Sequence, residues 1–467
     1  MTENQHGLIE RRKAGKRLRE KTPRSSHAGW VPAADRPDPL SLLQAQDEGR
    51  IQKLLPIKYG RMVASPFAFL RGSAVVMASD LAASPVTGLD VVLCGDAHLS
   101  NFGIFASPER DLVFDINDFD EAYPGPWEWD LKRLAASTVV AGRENDWGAK
   151  KCRQMVIHAA ETYRQGMDEF STLSTLDMWY FHIDADSVMK AFEQSSKKGA
   201  KSAGKVVKKA KFRTQGQTLE KLTVMENGRR LIMSDPPLLI AFRDMGFEKH
   251  IGDAKLRLLA EKSVESSWNQ YLNSLPDERR YLLRRYRLVD AALRVGGVGS
   301  VGTRCMIALL KGHDENDALI LQLKEAGPSA LETYLPEQPT YSQHARRVVT
   351  GQRVIQAVSD IFLGWHTSES ELQYYWRQLK DMKGSFDVTT MDAEGFKTYV
   401  GICAFTLARA HARTGDPSAI SGYLGSNDTF AEAIADFAAA YADQTERDHQ
   451  SLVAAIKSGR IVAETGI

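Results

Sequence analysis

The sequence predicts an α+β fold in two lobes, one mainly helical and one built on a small antiparallel sheet. Three observations carry this expectation. Short apolar strands, Val91-Val92-Leu93-Cys94 and Leu112-Val113-Phe114, each run into a polar loop rich in aspartate. Long stretches around them keep helical spacing of apolar residues. A glycine-punctuated, β-rich region then follows at residues 291–326.

The elements read as follows from the N-terminus. Residues 1–36 mix charge, Ser, Pro and Gly with little periodicity and are expected to form a flexible arm. Ser65-Pro66 is a helix cap with proline in the first turn, and Phe69, Leu70, Ala74, Met77 and Leu81 keep helical spacing behind it. Residues 127–167 are helical in pattern. Residues 197–213 carry eight positive charges and read as a solvated helix or loop that interrupts the compact fold. A hairpin is expected over residues 222–233 around Asn227-Gly228, with helices from there to about residue 290. The resulting division is a helical lobe bearing the acidic loops (37–290), a β-rich lobe (291–385) and a C-terminal helical region packing on the first lobe (386–467).

Composition excludes several classes of function. The 60 Lys+Arg against 59 Asp+Glu leave no global field to recruit nucleic acid or an anionic membrane. With no apolar run of about 20 residues, no membrane span is expected. The four cysteines, Cys94, Cys152, Cys305 and Cys403, are widely spaced without a CxxC pair, so reduced thiols in a cytoplasmic protein are expected. Oligomeric state is not legible.

The first chemical constellation is Gly95-Asp96-Ala97-His98-Leu99-Ser100-Asn101, followed by Asn117-Asp118-Phe119-Asp120. Single aspartates at strand ends are common as turn formers. Taken together, this spacing suits phosphoryl transfer. That reaction asks the protein for an Asp that orients or deprotonates a hydroxyl, and for oxygen ligands that hold Mg²⁺ against phosphate. A zinc trio of Cys94, Asp96 and His98 would lack a fourth ligand.

These segments resemble the catalytic and metal-binding loops of the aminoglycoside phosphotransferase branch of the protein-kinase-like superfamily. Gly95-Asp96, His98 and Asn101 fall in register, as do Asp118 with Ala122 and then Asp130-Leu131. The resemblance implies that Asp96 is the catalytic aspartate, that Asn101 and Asp118, with Asp120 beside them, hold Mg²⁺, and that Asp130 braces the catalytic loop, with His98 and Arg71 in support. Two departures stand out: Cys94 replaces a common His, and Asp120 stands where kinases have the Gly of Asp-Phe-Gly. Across most of residues 40–455 the chain is also similar to a bacterial family of domains of unknown function allied to this superfamily.

The second constellation is Gly297, Gly299, Ser300 and Gly302, followed by apolar residues 305–310, a polar turn, and a second apolar run ending in Lys324. Strand, Gly-rich loop, strand, turn and strand ending in Lys resembles the nucleotide-covering loop and phosphate-pairing lysine of kinases. A dinucleotide fold is the competing reading, in which a helix follows the glycines and Glu325 takes the ribose. Because the Gly-rich segment follows the catalytic loops, a kinase-like arrangement requires circular permutation. The helix leading into the catalytic loop is then either residues 405–411 or residues 69–81. Gly351-Gln352-Arg353 and Arg377-Gln378-Leu379-Lys380 read as packing or as substrate contacts. The expected activity is ATP- and Mg²⁺-dependent γ-phosphate transfer to a hydroxyl on an unknown small molecule or protein. Adenylyl transfer, a nucleotide-binding pseudoenzyme and an NAD(P) dehydrogenase are the alternatives.

Overall fold

The computed structural model describes residues 3–213, 215–244, 264–379 and 382–467. The helices expected toward residue 290 lie partly outside the described residues, as does Lys380. Helix accounts for 52% and strand for 15%, an α+β composition.

In the helical body, β1 (Asp90–Leu93) pairs antiparallel with β4 (Tyr123–Pro126). Between them, β2 (Phe102–Ala106) and β3 (Leu112–Ile116) form a hairpin with Phe102 opposite Ile116. That register is why two clusters distant in sequence meet: it sets Asn101 beside Asn117, whose amide donates to the Asn101 carbonyl at 2.8 Å. The two-residue strand β5 (Ile183–Asp184) extends this sheet on its β3 side.

The Trp127–Glu144 helix is buried along nearly its whole length. One apolar cluster unites it with the Ala149–Phe170, Ala393–Ala412 and Thr429–Lys457 helices. Burial of a continuous apolar face, more than propensity, holds such helices in place.

Next come the hairpin β6 (Thr223–Glu226) and β7 (Arg229–Ile232), with Asn227 and Gly228 at positive φ in the turn. A six-stranded antiparallel sheet follows. It contains β8 (Leu239–Ala241), β9 (Arg287–Arg294), β10 (Cys305–Lys311), β11 (Ala318–Glu325), β12 (Gly364–Thr367) and β13 (Gln373–Gln378), in the order β12-β13-β11-β10-β9-β8. Apolar clusters cover both of its faces. The short β14 (Gly384–Ser385) returns to pair with β2.

Three expectations need correction. Residues 3–17 are not part of a loose arm: Glu3–Arg17 is a helix packed on the Pro417–Leu424 helix. Gly15 and Gly422 permit that approach, since a Cβ on either would strike the facing backbone, Ala419 O at 1.9 Å and Arg12 O at 2.1 Å. Arg19 and Arg24 then donate to the carbonyls of residues 422–424. The basic Lys197–Phe212 helix does not interrupt the fold, because Gly199, Ala203, Val207 and Ala210 are buried while its lysines face outward. The division at residue 290 cuts through β9, and the sheet recruits β8 from upstream.

Candidate active site

The strand pairings decide which side chains converge. Cys305 lies opposite Lys324, and Lys324 lies opposite Tyr375; Gln322 lies opposite Arg377. Alternation along a strand sends these residues to one face, so Lys324 sits at the end of the Gly-rich loop that joins β9 to β10. From below, the 118–120 segment meets this face. Lys324 Nζ is 3.6 Å from Asp118 Oδ1 and pairs closely with Asp120 Oδ2. Tyr375 donates to Asp120 Oδ1 at 2.6 Å. Arg377 lies over the Tyr375 ring and donates to Gln322 Oε1 at 3.1 Å.

The loop between β1 and β2 is held from beneath. Asp130, on the Trp127–Glu144 helix, accepts the amides of Cys94 at 2.8 Å and Gly95 at 3.0 Å. His411 Nε2 lies 3.2 Å from the same carboxylate, and its other nitrogen meets Tyr163. Three residues along the helix from Asp130, and hence on the same face, Arg133 reaches Asp96 Oδ1 through Nε at 2.9 Å and Nη2 at 2.7 Å. Asp96 Oδ2 remains 3.5 Å from His98 Nε2. His98 Nδ1 accepts the Ser100 amide, so the ring is neutral with its proton on Nε2; burial keeps its pKa well down. Asn101 Nδ2 donates to the Asp96 carbonyl at 2.7 Å, leaving its amide oxygen available.

Two cavities meet at Asp118. One, of about 360 Å³, lies beneath the sheet between Lys324, Arg377, Lys383, Phe105 and the loop glycines Gly296 and Gly297. The other, of about 390 Å³, contains Asp96, His98, Asn101, Arg71, Gly299 and Glu121. Asp118, Gly297 and Ser300 border both.

Electrostatics distinguish the two central aspartates. Burial pushes Asp96 up to about 6, against the pull of Arg133. Burial acts upward on Asp118 too, but Lys324, Arg377 and Lys383 outweigh it and hold it down to about 2. Asp118 keeps 39% of its side chain open to the cleft, so solvent partly screens these attractions. Lys324 is raised well above the usual range, because Asp118 and Asp120 more than offset its burial. Lys383 is pushed down to about 7 by burial and then by Arg377.

The structure places the sequence-predicted residues unevenly. Asp96, Asn101, Asp118, His98 and Arg71 share one cavity, with Asp130 behind it. Arg71 Nε is buried there without a hydrogen-bond partner. Asp120 accepts from Lys324 on one oxygen and from Tyr375 on the other, and 31% of its side chain stays exposed in the cavity that holds Asp96. Gly302 lies away from both cavities at φ 89°, against Arg50 and Leu55, with its carbonyl accepting the Ile51 amide. The Ser300 hydroxyl donates to the Gly296 carbonyl. A strand follows the glycines, β10 antiparallel to β9, which removes the dinucleotide-fold reading.

Sequence reasoning missed Arg133, Tyr375 and Lys383. For Arg133 a signal existed in its spacing from Asp130 on one helix. Among the described residues no group of three or more His, Cys, Asp or Glu is placed to hold a metal. Mg²⁺ needs no such cage: one or two protein oxygens plus phosphates and water suffice, and Asn101 with Asp118 meets that requirement. No helix among the described residues is long and apolar enough to cross a membrane.

Compared with known proteins, the chain matches the family described as Uncharacterized protein conserved in bacteria (DUF2252) over residues 50–455, and it belongs to that family. No curated protein and no solved structure matches it.

Proposed function

We propose that this member of the bacterial family is an ATP- and Mg²⁺-dependent phosphotransferase of kinase-like design, acting in the cytoplasm on a hydroxyl-bearing acceptor. The observation that carries the reading is the 3.6 Å approach of Lys324 Nζ to Asp118, the residue at which the cavity holding Lys324 meets the cavity holding Asp96 and Asn101. Residues 206 positions apart in sequence supply a cation for phosphate and an oxygen ligand for metal at one point. Phosphorus transfer to a hydroxyl needs both there.

The division of labour follows from position. Lys324 and the amides of the Gly-rich loop hold phosphates, and Asp118 and Asn101 are the ligands available to Mg²⁺. When bound, the ion neutralises charge on the phosphate oxygens. Asp96 presents Oδ2 to the acceptor side, while Arg133 fixes its other oxygen. A permuted chain order is favoured by one contact: the end of the Ala393–Ala412 helix abuts β1, where Thr414 Oγ1 accepts the Val92 amide at 3.0 Å. In space that helix leads toward the strand before the catalytic loop, although in sequence it follows that loop by about 290 residues.

Calorimetry with Mg·ATP, followed by incubation of the protein and labelled ATP with a metabolite library, tests the reading. Micromolar binding that requires Mg²⁺ and is lost in Asp118→Ala supports it. Binding of NAD(P) in place of ATP would overturn it, and ATP binding without any turnover would identify a pseudoenzyme.

A further inference from the structure

The two cavities that meet at Asp118 are lined by different charge, cations in excess on one wall and carboxylates on the other. Beneath the sheet, Arg110, Arg294, Lys324, Arg377 and Lys383 line the wall with Asp118 and Asp360 as its acidic side chains among the described residues, and Lys324 also pairs with Asp120. On the other side, Asp96, Asp118, Asp120, Glu121 and Glu325 line the wall with Arg50 and Arg71, while Arg133 reaches Asp96, Lys324 reaches Asp118 and Asp120, and Arg304 reaches Glu325 from behind it. Arg50 and Arg71 have different settings. Arg50 is spent on the carbonyls of Gly299 and Val301, both at 2.6 Å, and Arg71 stands at the cavity wall.

A nucleoside triphosphate has one neutral end and one strongly anionic end, and the cleft has one end suited to each. If the base lay beneath the sheet, it would cover Arg377 and Lys383 with only Asp118, Asp120 and Asp360 near enough to balance them, and burying cations in excess of their partners is costly. Lys383 makes no ion pair among the described residues, and Arg377 crowds it. A polyphosphate there would pair with Lys324, Arg377 and Lys383 together. The terminal phosphates placed in the second cavity would lie among carboxylates with Mg²⁺ at Asn101 and Asp118 as their main counter-charge.

We infer that the nucleotide lies with its β- and γ-phosphates in the cation-rich cavity and its α-phosphate at the Asp118 and Asp96 end, so that the chain transfers a nucleotidyl group. This inference rests on the ATP-dependent site proposed above and keeps its residues, but replaces transfer of the terminal phosphoryl group with attack on the α-phosphorus. The acceptor hydroxyl oxygen forms a bond to the α-phosphorus, and the bond from that phosphorus to the α–β bridging oxygen breaks. The hydroxyl proton passes to Asp96, and pyrophosphate leaves with the bond's electron pair. Negative charge grows on the leaving pyrophosphate, and Lys324, Arg377 and Lys383 face it there; preorganised cations at such a point lower the barrier. The nucleoside, being neutral, meets no charge conflict among the carboxylates of the second cavity.

The test has a binding arm and a transfer arm. Inorganic tripolyphosphate and adenosine are titrated separately into the wild-type chain and into Arg377→Met and Lys383→Met, with thermal unfolding checking that each variant is folded. The inference expects tripolyphosphate to compete with ATP and each variant to weaken it by about tenfold or more, as for loss of a charge-assisted contact, with adenosine binding unchanged. Weakened adenosine binding with tripolyphosphate affinity within about twofold would overturn it. ATP labelled at the α- or the γ-phosphate is then incubated with the wild-type chain and a cell extract. Transfer of the α-label with release of pyrophosphate supports the inference. Transfer of the γ-label with formation of ADP overturns it while leaving the phosphotransferase reading intact, and absence of any ATP binding overturns both.

Discussion

Replacing Gly95 with alanine probes whether the close approach of the 94–101 loop to residue 121 is what positions Asp96. Gly95 adopts φ 80°, a conformation that costs a residue with a Cβ about 1–2 kcal/mol. A Cβ built there would lie 2.3 Å from the Glu121 carbonyl oxygen and 2.8 Å from its carbonyl carbon, inside the 3.0 Å that such atoms keep. Neither side can yield easily. Asp130 holds the Gly95 amide, and Ser329 and the Ala330 amide hold Glu121. Relieving the overlap therefore adds about 2 kcal/mol, within the usual 1–3 kcal/mol for overpacking, for a total of roughly 3–4 kcal/mol. Gly88 supplies the control, because it has φ 75° but nothing within 4 Å of the added atom. Gly88→Ala should cost only the backbone part, about 1–2 kcal/mol. Urea unfolding of both variants gives the comparison at equal m-value, and Mg·ATP titration reports the loop itself. Equal midpoints for Gly88→Ala and Gly95→Ala would refute the reasoning, since the extra cost comes entirely from the contact with Glu121.

Further outcomes are expected. Asp118→Ala should abolish Mg·ATP binding and turnover together. Asp96→Ala should leave ATP affinity within about threefold while cutting turnover about 10²-fold or more, and Asn101→Ala should fall between, partly rescued by high Mg²⁺; full activity in Asp96→Ala would defeat the assignment. Turnover should fall as pH drops through about 6, where Asp96 takes up a proton; Arg133→Met removes the cation that lowers that pKa, so the acid limb should move to higher pH, and a shift the other way would contradict the pairing. At pH 8 free Lys383, with its pKa near 7, is mostly neutral, and an anion beside it restores it toward 10.5. ATP binding should then take up about one proton, read by calorimetry in buffers of different ionisation enthalpy, and Lys383→Met should abolish the uptake. The buried Arg409 donates to Asp115 at 2.7 Å, so Arg409→Met should destabilise the chain by about 3–5 kcal/mol in chemical denaturation, because it strands a buried carboxylate.

The sequence by itself determined the α+β composition, the strand ends that carry Asp96 and Asp118, and the Gly-rich turn before Lys324. These are local facts. A hairpin joins Asn101 to Asn117 within a short stretch, so their spacing already implies that they meet, and Asp130 lies close enough in sequence for its helix to reach the same loop. Tertiary structure decided the rest. Whether residues 3–17 float or dock depends on Gly422, some 400 positions away, and no local pattern reports that. The β12 and β13 strands join the sheet only across the Leu323–Trp376 and neighbouring pairs, which bring Tyr375 and Arg377 beside Lys324. That Lys324 and Tyr375 both engage Asp120 is likewise visible only once β11 and β13 are paired. The different charge lining the two cavities about Asp118 is a property of side chains gathered from distant segments. Charge in a sequence sums to nearly zero here, and only folding sorts it, because electrostatic energy depends on distance in space and on burial and not on order along the chain.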